Sequence, residues 1–293
     1  MQPKALIFGI TGQDGYYLSA LLAGKGISVT GVSRNNPEHT IGDVANYELV
    51  EQLITDNQPA YIFHLAANST TGHDTLFENY QTIATGSLNI LEAVYKHSKH
   101  SKVFIAGSGL QFVNKSNPIA ETDAFEARDS YSMARIQAVY AARYYRGLGI
   151  KVYVGYFFHH DSPLRHSRHL NVKIIKTALK IKDGTEKYLV IGNPDIIKEF
   201  NHAYDMMNAV WHLIKQDEIF EAVIGSGLGY SIDNWIDTCF KIIGINKHEH
   251  LELNQHYKAD FSIMVSNPKT IKSLGWEAIY DINSLAQDMI NNG

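Results

Sequence analysis

The sequence has little cysteine, little net charge and no long apolar run, and each of these shortages excludes a class of protein. Its single cysteine, Cys239, cannot form a disulfide within the chain, and the first residues lack a basic region followed by an apolar segment, so we expect a cytoplasmic protein. A formal net charge of -4 gives no general attraction to nucleic acid or to an anionic membrane. No apolar run approaches the roughly 18 residues that a spanning helix needs. We therefore expect neither nucleic acid nor membrane as a partner.

The chain does contain enough apolar residues for a substantial core: 293 residues, of which 45% are hydrophobic. Strand-like and helix-like segments alternate through its first half, which predicts an α/β, Rossmann-type doubly wound parallel sheet with helices on both faces. The strand-like runs are KALIFGI (4–10), ISVTGVS (27–33), AYIFHLAA (60–67), KVFIAGS (102–108) and KVYVGYFF (151–158). The alternation weakens after about residue 157. We predict a dinucleotide-binding domain over residues 1–157, to which a segment near 198–228 returns, and a smaller mixed substrate-binding lobe over residues 158–293.

A glycine-rich turn follows the first strand-like run. The sequence GITGQDG places Gly9, Gly12 and Gly15 between that run and the next helix. Glycines at these positions let the backbone turn tightly and let a pyrophosphate approach the amides at the positive end of the helix. This strand-turn-helix context predicts dinucleotide binding, and the alternative is a tight turn without a ligand.

The end of the second strand-like run bears on which dinucleotide binds. The stretch VTGVSRNN (29–36) has no carboxylate that could bind a ribose 2′-hydroxyl, but it places Arg34 beside Ser33. An arginine here suits the 2′-phosphate of NADP. We therefore predict NADP, with NAD as the alternative cofactor, and the competing interpretation of Arg34 is a solvated surface residue.

Motifs spread from end to end of the chain resemble those of one family. The GxxGxxG spacing, the LAA segment at 65–67, a serine at 108 and a tyrosine at 131 match the extended short-chain dehydrogenase/reductases that modify nucleotide sugars. Within that group the chain is similar to the GDP-mannose 4,6-dehydratases and the related GDP-4-keto-6-deoxymannose reductases. The likeness rests on the stretches ALIFGITGQDGYYLSALL, HLAANS, ETDAFEARDSYSMA, FFHHDSPLRH, IGNPDIIKEFNHAYDMM and KSLGW.

The resemblance implies which residues bind the cofactor. They are the phosphate loop, an aspartate near the adenine, and small residues at a strand end, where a flat cofactor leaves no room for large side chains. For the LAA segment, plain core packing is an equal alternative. With Arg34 added, the implied residues are Gly9, Thr11, Gly12, Gln13, Asp14, Gly15, Asp43, Leu65, Ala66 and Ala67.

The resemblance also implies an active centre in which one family residue is replaced. It places Ser108 where the family has a Ser/Thr that hydrogen-bonds the sugar oxygen, and Tyr131 where the family has its general acid/base. The family lysine four residues later is here Arg135, which shares a helical face with the tyrosine. Both residues of this pair would also contact the cofactor. A tyrosine ionises near pH 10 in water and needs a nearby positive charge, which an arginine supplies without the geometry of lysine. The alternative is an inactive pair.

A second replacement bears on the reaction. In the dehydratases of this family, a glutamate two residues beyond the Ser/Thr removes the C5 proton and assists the loss of water from C6. The corresponding residue here is Leu110, which has no proton to take or to give. Glu121 and Asp123 are candidates to replace it in principle, although the resemblance places Glu121 in a loop with a structural or substrate-proximal role.

For the sugar nucleotide, the resemblance implies residues in the loop and helix that close over the diphosphate. They are His160, Ser162, Arg165, Lys173, Asn193 and Lys198. Positive side chains concentrate here, as a diphosphate requires. The neighbouring histidines show no spacing of a metal site, so we predict no metal. The family arginine in the later stretch HYKADFSIMV (256–265) has no clear counterpart.

These observations predict an NADP-dependent oxidoreductase that reduces a 4-keto GDP-linked deoxysugar at C4. A 4,6-dehydratase or epimerase with an altered acid/base is the alternative in chemistry, and a non-catalytic relative that binds NADP or a nucleotide sugar is the alternative in class. The family expectation for assembly is a homodimer through the helices that carry TGSLNILEAVYKH and Tyr131.

Overall fold

The computed structural model describes residues 2–254 and 261–293. The strands are β1 (Lys4–Phe8), β2 (Ser28–Ser33), β3 (Thr40–Ile41), β4 (Tyr61–His64), β5 (Lys102–Ser108), β6 (Lys151–Phe157), β7 (His160–Asp161), β8 (Leu189–Ile191), β9 (Ile197–Glu199), β10 (Asn201–His202), β11 (Glu221–Ile224), β12 (Gly229–Ser231), β13 (Leu251–Leu253) and β14 (Ile263–Met264). The helices are α1 (Gln13–Gly24), α2 (Tyr47–Asn57), α3 (Leu76–Asn79), α4 (Gly86–His97), α5 (Ser130–Gly147), α6 (Leu170–Lys182), α7 (Ala203–Ile214), α8 (Ile232–Ile243), α9 (Lys247–His250), α10 (Lys269–Ser273) and α11 (Ile282–Asn292).

Seven strands form one parallel sheet in the order β11-β6-β5-β4-β1-β2-β3. The chain runs outward from β1 in one direction through β2 and β3, and then returns to pair β4 with the other edge of β1. A crevice opens at the carboxyl ends of β1 and β4, because the connections that leave them diverge to opposite sides. This is the position at which doubly wound sheets bind ligands, and it confirms the predicted Rossmann-type α/β fold.

Helices cover both faces of the sheet. On one face α2, α4 and α5 bury residues such as Ile54, Leu91 and Val139 against the strands. On the other face α1 and α7 bury residues such as Leu22 and Met206. Both faces of the sheet are therefore apolar, as expected for an all-parallel sheet.

The later part of the chain has a separate apolar cluster in which α6, α8 and α11 pack together, with Trp235 fully buried. Three small sheets accompany it, in the orders β10-β7, β12-β9-β14 and β13-β8. Strand β11 nevertheless belongs to the central sheet, where it pairs with β6. The division of the chain into domains near residue 157 stays a prediction. Within the described residues, no helix combines the length and the apolar character that crossing a membrane requires.

The five strand-like runs correspond to β1, β2, β4, β5 and β6, and the largest difference lies at the end of β4. The prediction extended this strand through Ala67, but it ends at His64. The reason is close packing between loops: a Cβ on Gly9 would stand 2.6 Å from the backbone nitrogen of Ala66. The chain after His64 therefore passes over the glycine turn instead of continuing the sheet.

Candidate active site

The glycine turn after β1 is built for a close approach of backbone to backbone. Gly9 has a φ of +92°, which favours glycine, and a Cβ on Gly15 would stand 2.4 Å from the carbonyl oxygen of Gly9. A Cβ on Gly12 would only reach ordinary contact with that oxygen at 3.5 Å, so this residue, which precedes α1, leaves space above it. The first amides of α1 consequently point toward open space, where a phosphate fits.

A cavity of about 240 Å³ lies at the crevice between β1 and β4. Eight of the residues predicted to bind cofactor line it, namely Gly9, Thr11, Gly12, Arg34, Asp43, Leu65, Ala66 and Ala67. The other lining residues are Phe8, Val32, Ser33, Gly42, Val44 and Thr82, which the sequence did not single out. Phe8 and Val32 lie near the ends of two strand-like runs and pair in the sheet, so they could have been found from the sequence, because the carboxyl ends of parallel strands line such a crevice. The glycine turn, small side chains and neighbouring cation fit a dinucleotide phosphate.

The side chains of Gln13 and Asp14 point to the later part of the chain. Nε2 of His160 lies 3.0 Å from Oδ1 of Asp14, and Oγ of Ser162 donates to Oε1 of Gln13 at 3.0 Å. Burial disfavours charge on both members of the Asp14–His160 pair. Their mutual attraction outweighs it, lowering the pKa of Asp14 and raising the pKa of His160. Gln13 and Asp14 are predicted to bind the cofactor, and His160 and Ser162 are predicted to bind the sugar nucleotide. Their contacts therefore join the phosphate loop to the predicted substrate-binding residues.

Ser108 ends β5 at the carboxyl edge of the sheet. Its amide donates to Oε1 of Gln111 at 2.9 Å, and its Oγ accepts from the amide of Leu110 at 3.2 Å. Among the described residues the Ser108 hydroxyl has no acceptor for its own hydrogen, so it can donate to a ligand oxygen. Leu110 is partly buried against the core cluster beside α5. No proton-transfer group therefore occupies position 110.

Tyr131 and Arg135 lie in the first turns of α5, which begins with a capping box at Asp129. Both side chains are buried, with 9% and 4% of the residue exposed. The guanidinium carbon of Arg135 stands 5.0 Å from the centroid of the Tyr131 ring, and Nη1 donates to the carbonyl oxygen of Ala106. Among the residues that the structure describes, its Nε has no hydrogen-bond partner. The pair therefore forms one buried unit, which excludes a solvated surface position for Arg135.

His64 is a buried residue of this region that the sequence analysis did not select. It ends β4, and its Nε2 lies 3.0 Å from the carbonyl oxygen of Thr82 in a π-helical segment, Tyr80–Thr85. Burial, together with the positive charge of Arg135, lowers the pKa of His64 to about 4. The imidazole is therefore neutral at physiological pH. The HLAA motif was the signal that could have identified it.

Glu121 and Asp123, the two carboxylates considered as replacements for the family glutamate, both accept hydrogen bonds within the structure. Glu121 accepts from the amide of Val223 at 3.3 Å and from the hydroxyl of Thr270. Asp123 accepts from the amide of Ala120 at 2.9 Å. Both carboxylates hold loops together beside a second cavity of about 560 Å³. Both carboxylates are therefore already engaged in hydrogen bonds.

A buried charged cluster follows β6. Arg165 pairs with Asp161 at 3.1 Å, and Nζ of Lys198 contacts Nε2 of His159 at 3.1 Å and Oδ1 of Asn171 at 3.2 Å. Burial lowers the pKa of Lys198 to about 8, and Arg165 adds to this while Asp161 opposes it. Burial also lowers the pKa of His159, with Lys198 as the next cause. Two of the residues predicted to bind substrate, Arg165 and Lys198, thus meet in one cationic cluster.

The remaining predicted substrate residues lie elsewhere. Lys173 is exposed on α6, and Asn193 accepts from the amide of Asp195 at 2.9 Å in a turn before β9. Residues 256–260 of the stretch that lacks the family arginine lie outside the described residues. Within the ranges that are described, no group of three His, Cys, Asp or Glu side chains is arranged to hold a metal ion.

Comparison with known proteins places this geometry in a family. The family model for GDP-mannose 4,6 dehydratase matches residues 6–289. GDP-mannose 4,6 dehydratase 2 of Arabidopsis thaliana is 28% identical over 98% of this chain and 86% of its own length. GDP-mannose 4,6-dehydratase of Vibrio cholerae serotype O1 is 31% identical over 82% of this chain and 72% of its own.

Solved structures share the fold at low identity. The structure of RMD from Pseudomonas aeruginosa, complexed with NADPH, has a TM-score of 0.85 at 19% sequence identity. The match covers 100% of this chain and 97% of the RMD chain. The structure of dTDP-glucose 4,6-dehydratase from Bacillus anthracis, in complex with NAD, has a TM-score of 0.86 at 18% sequence identity. The match covers 99% of this chain and 96% of the dehydratase chain. The family match, the crevice and the tyrosine on α5 agree: the chain belongs to the GDP-mannose 4,6 dehydratase family of nucleotide-sugar enzymes.

Proposed function

We propose that this protein transfers hydride between NADP and C4 of a GDP-linked sugar without eliminating water, and that it acts as a reductase of a 4-keto sugar. The observation that carries the proposal is Leu110. It lies two residues beyond Ser108, where an elimination would need an acid/base, and the carboxylates of Glu121 and Asp123 already accept hydrogen bonds from other parts of the chain. Loss of a general acid/base typically costs about a hundredfold or more in rate.

The residues of the active centre are sufficient for the reduction. NADPH, when bound, would supply the hydride. Tyr131 then protonates the oxygen that develops negative charge at C4, and the Ser108 hydroxyl donates a hydrogen bond to the same oxygen. Arg135 holds its guanidinium carbon 5.0 Å from the centre of the Tyr131 ring, so a positive charge lies beside the proposed proton donor.

The preference for NADP rests on the residues at the end of β2. Arg34 lines the crevice cavity, and its side chain is 54% exposed, so a 2′-phosphate can reach it. Asp43, which would lie near the adenine, lines the same cavity, and its Oδ1 accepts from the amide of Ala45 at 2.9 Å. The glycine turn would hold the pyrophosphate at the first turn of α1.

The preference for a GDP-linked sugar rests on family membership and on the cationic cluster. Arg165 and Lys198 are mostly buried and share Asp161 as a neighbouring anion, so a diphosphate would meet two fixed cations. Ser162 and His160 tie this cluster to the phosphate loop. The sugar would therefore be held between the cationic cluster and Tyr131.

A 4,6-dehydratase is the second candidate, and the names of the curated relatives favour it over the reductase. In that reaction Tyr131 would first remove a proton from the C4 hydroxyl, and another group would replace the glutamate lost at position 110. A protein that binds these ligands without turnover is the third reading, motivated by the replacement of the family lysine by Arg135.

One assay distinguishes the three. The purified protein is given GDP-mannose with NADP, and separately NADPH with a 4-keto-6-deoxy GDP-sugar made by another dehydratase, and products are measured by mass spectrometry. The reductase proposal expects oxidation of NADPH only in the second reaction. A product lighter than GDP-mannose by one water in the first reaction would establish the dehydratase instead. Ligand-induced thermal stabilisation without any product would establish the binding protein.

We also propose a homodimer through α4 and α5. These helices carry exposed apolar side chains that a partner helix would cover, namely Leu88 on α4 and Tyr140 and Tyr144 on α5, which are 48%, 59% and 64% exposed. Sedimentation equilibrium of the wild type and of a Tyr144→Glu variant tests it, since charge at such an interface should shift the protein toward monomer.

A further inference from the structure

The cation predicted to bind the cofactor 2′-phosphate already has a carboxylate partner. Nη1 of Arg34 lies 3.3 Å from Oε1 of Glu78, at the mouth of the crevice cavity. The second carboxylate oxygen of Glu78 accepts from Nδ2 of Asn68 at 3.0 Å. Both oxygens of Glu78 are thus engaged, one by the β2 end and one by the loop that follows β4.

The segment that carries Glu78 is anchored at the next residue. Asn79 is fully buried, and its Nδ2 donates to the carbonyl oxygen of Thr70 at 3.0 Å and lies 3.3 Å from Oγ of Ser130. Ser130 in turn donates to the carbonyl oxygen of Gly72 at 3.0 Å, and it immediately precedes Tyr131. The position of Glu78 is therefore set by buried contacts to the start of α5 and not by its exposed ion pair alone.

We propose that Glu78 lowers the selectivity for NADP by competing with its 2′-phosphate for Arg34. This inference rests on the proposed use of NADP. A phosphate that binds the guanidinium must displace the Glu78 carboxylate or accept a nearby negative charge, and either outcome weakens its binding. NAD carries no phosphate at this position and meets neither obstacle. Glu78 thus reduces the preference for NADP that Arg34 by itself would give.

The expected size of the effect is modest because the Arg34 and Glu78 side chains are 54% and 41% exposed. Removing the charge of Glu78 should tighten NADPH binding about two- to fivefold, the range that exposed ion pairs produce. NADH binding should stay unchanged. The gain should shrink as salt is raised, because exposed charges are screened over about 10 Å at 0.1 M ionic strength.

The experiment is titration calorimetry of NADPH and NADH with the wild type, Glu78→Gln, Arg34→Ala and the double variant. Asp74→Asn is the matched control, since Asp74 is exposed and its substitution removes one negative charge from the same segment outside the ion pair. Glu78→Gln should tighten NADPH binding at low salt, the control should not, and the Glu78→Gln effect should vanish when Arg34 is already alanine. Circular dichroism checks that each variant is folded.

Two results would overturn the inference and can be told apart. If Arg34→Ala weakens NADPH binding while Glu78→Gln leaves it unchanged, the NADP preference stands and the competition is absent. If Arg34→Ala changes the affinity of neither NADPH nor NADH, the 2′-phosphate does not bind Arg34. Both the proposed use of NADP and the inference about Glu78 then fail. Equal tightening by Asp74→Asn would attribute the gain to net charge and would also overturn it.

Discussion

The guanidinium of Arg135 packs on the ring of Tyr131, with 5.0 Å between its central carbon and the ring centroid. One of its nitrogens donates to the carbonyl oxygen of Ala106 at the carboxyl edge of the sheet. A planar group can make both contacts at once, because its donors lie in the plane and its face stays free for the ring. Arg135 therefore does two things: it places a positive charge beside Tyr131, and its hydrogen bond to Ala106 on β5 fixes the position of the guanidinium. Each can be tested separately.

Tyr131→Phe should lower turnover by about a hundredfold or more while leaving NADPH affinity nearly unchanged, because only the proton donor is removed. Steady-state kinetics and titration calorimetry measure the two quantities. Tyr188→Phe is the control, since this tyrosine lies just before β8, outside α4 and α5 and outside the proposed active centre, and is partly exposed. A Tyr131→Phe enzyme with most of its rate would exclude Tyr131 as the acid/base.

Arg135→Lys should retain more activity than Arg135→Ala, because lysine keeps the positive charge and loses only the planar contacts. We expect the alanine variant to lose about a hundredfold in turnover and the lysine variant about tenfold or less. The measurement is kcat for both variants at saturating NADPH. Equal loss in the two would mean that the planar contacts, and not the charge, are what the active centre requires.

Leu110→Glu should introduce traces of dehydration of GDP-mannose if the surrounding pocket is otherwise suited to it, because it restores a proton-transfer group two residues beyond Ser108. Mass spectrometry detects the product, which is lighter by one water. Leu110→Gln is the control, since the glutamine side chain has the shape of glutamate but no group that transfers a proton. Equal dehydration by the control and the glutamate variant would contradict the role assigned to this position.

GDP-sugar affinity should fall as the pH rises through about 8, the pKa to which burial lowers Lys198. The neutral amine cannot attract the diphosphate, so the dissociation constant should rise about tenfold between about pH 7 and pH 9. Because the folded-state pKa lies below the ordinary 10.5, the protonated Lys198 destabilises the fold, and this destabilisation decreases as the pH rises through about 8. Unfolding would therefore not explain the loss.

The control variants make this pH dependence specific. Lys198→Met should abolish it, whereas Lys176→Met, at an exposed position of α6, should leave it intact. The charged groups nearest Lys198 are Asp161, Arg165 and the titratable His159. An unchanged pH profile in Lys198→Met would assign the titration to one of the other groups or to the guanine base.

Glu221 should contribute strongly to stability. Burial alone would raise its pKa, but hydrogen bonds from Arg143, Tyr156 and Arg146 lower it to about 2. Because this lies below the ordinary 4.5, the stabilisation is present above pH 4.5 and is lost as the pH falls through about 2. Glu221→Gln should cost roughly 3 kcal/mol at neutral pH.

Denaturant unfolding at about neutral pH and under acid conditions measures this contribution. Glu218→Gln is the control, since Glu218 is exposed and lines the cavity of about 560 Å³ that Glu221 also lines. The difference between the Glu221 variant and the wild type should shrink in acid. A constant difference across the pH range would mean that the charge of Glu221 is not the source of its stabilisation.

Features that depend on near neighbours in the chain follow from the amino-acid sequence. Alternating strand and helix patterns identified β1, β2, β4, β5 and β6, because burial of a parallel strand on both faces requires a continuous apolar run. The glycine spacing identified the phosphate turn, since its sharp bend is a local property of residues 9–15. The tyrosine and arginine four residues apart share a helical face for the same local reason.

Contacts between polar side chains that are far apart in the chain depend on the folded structure. Glu78 lies 44 residues from Arg34, His160 lies 146 residues from Asp14, and Glu121 lies 149 residues from Thr270. No pattern in the chain selects these partners, because each pair forms only when separate loops and strand ends are packed together. The fold therefore directs the side chains of Gln13 and Asp14 toward the later part of the chain and engages Glu121 with Val223 and Thr270. It also buries Lys198, and the desolvation that lowers its pKa exists only in the folded protein.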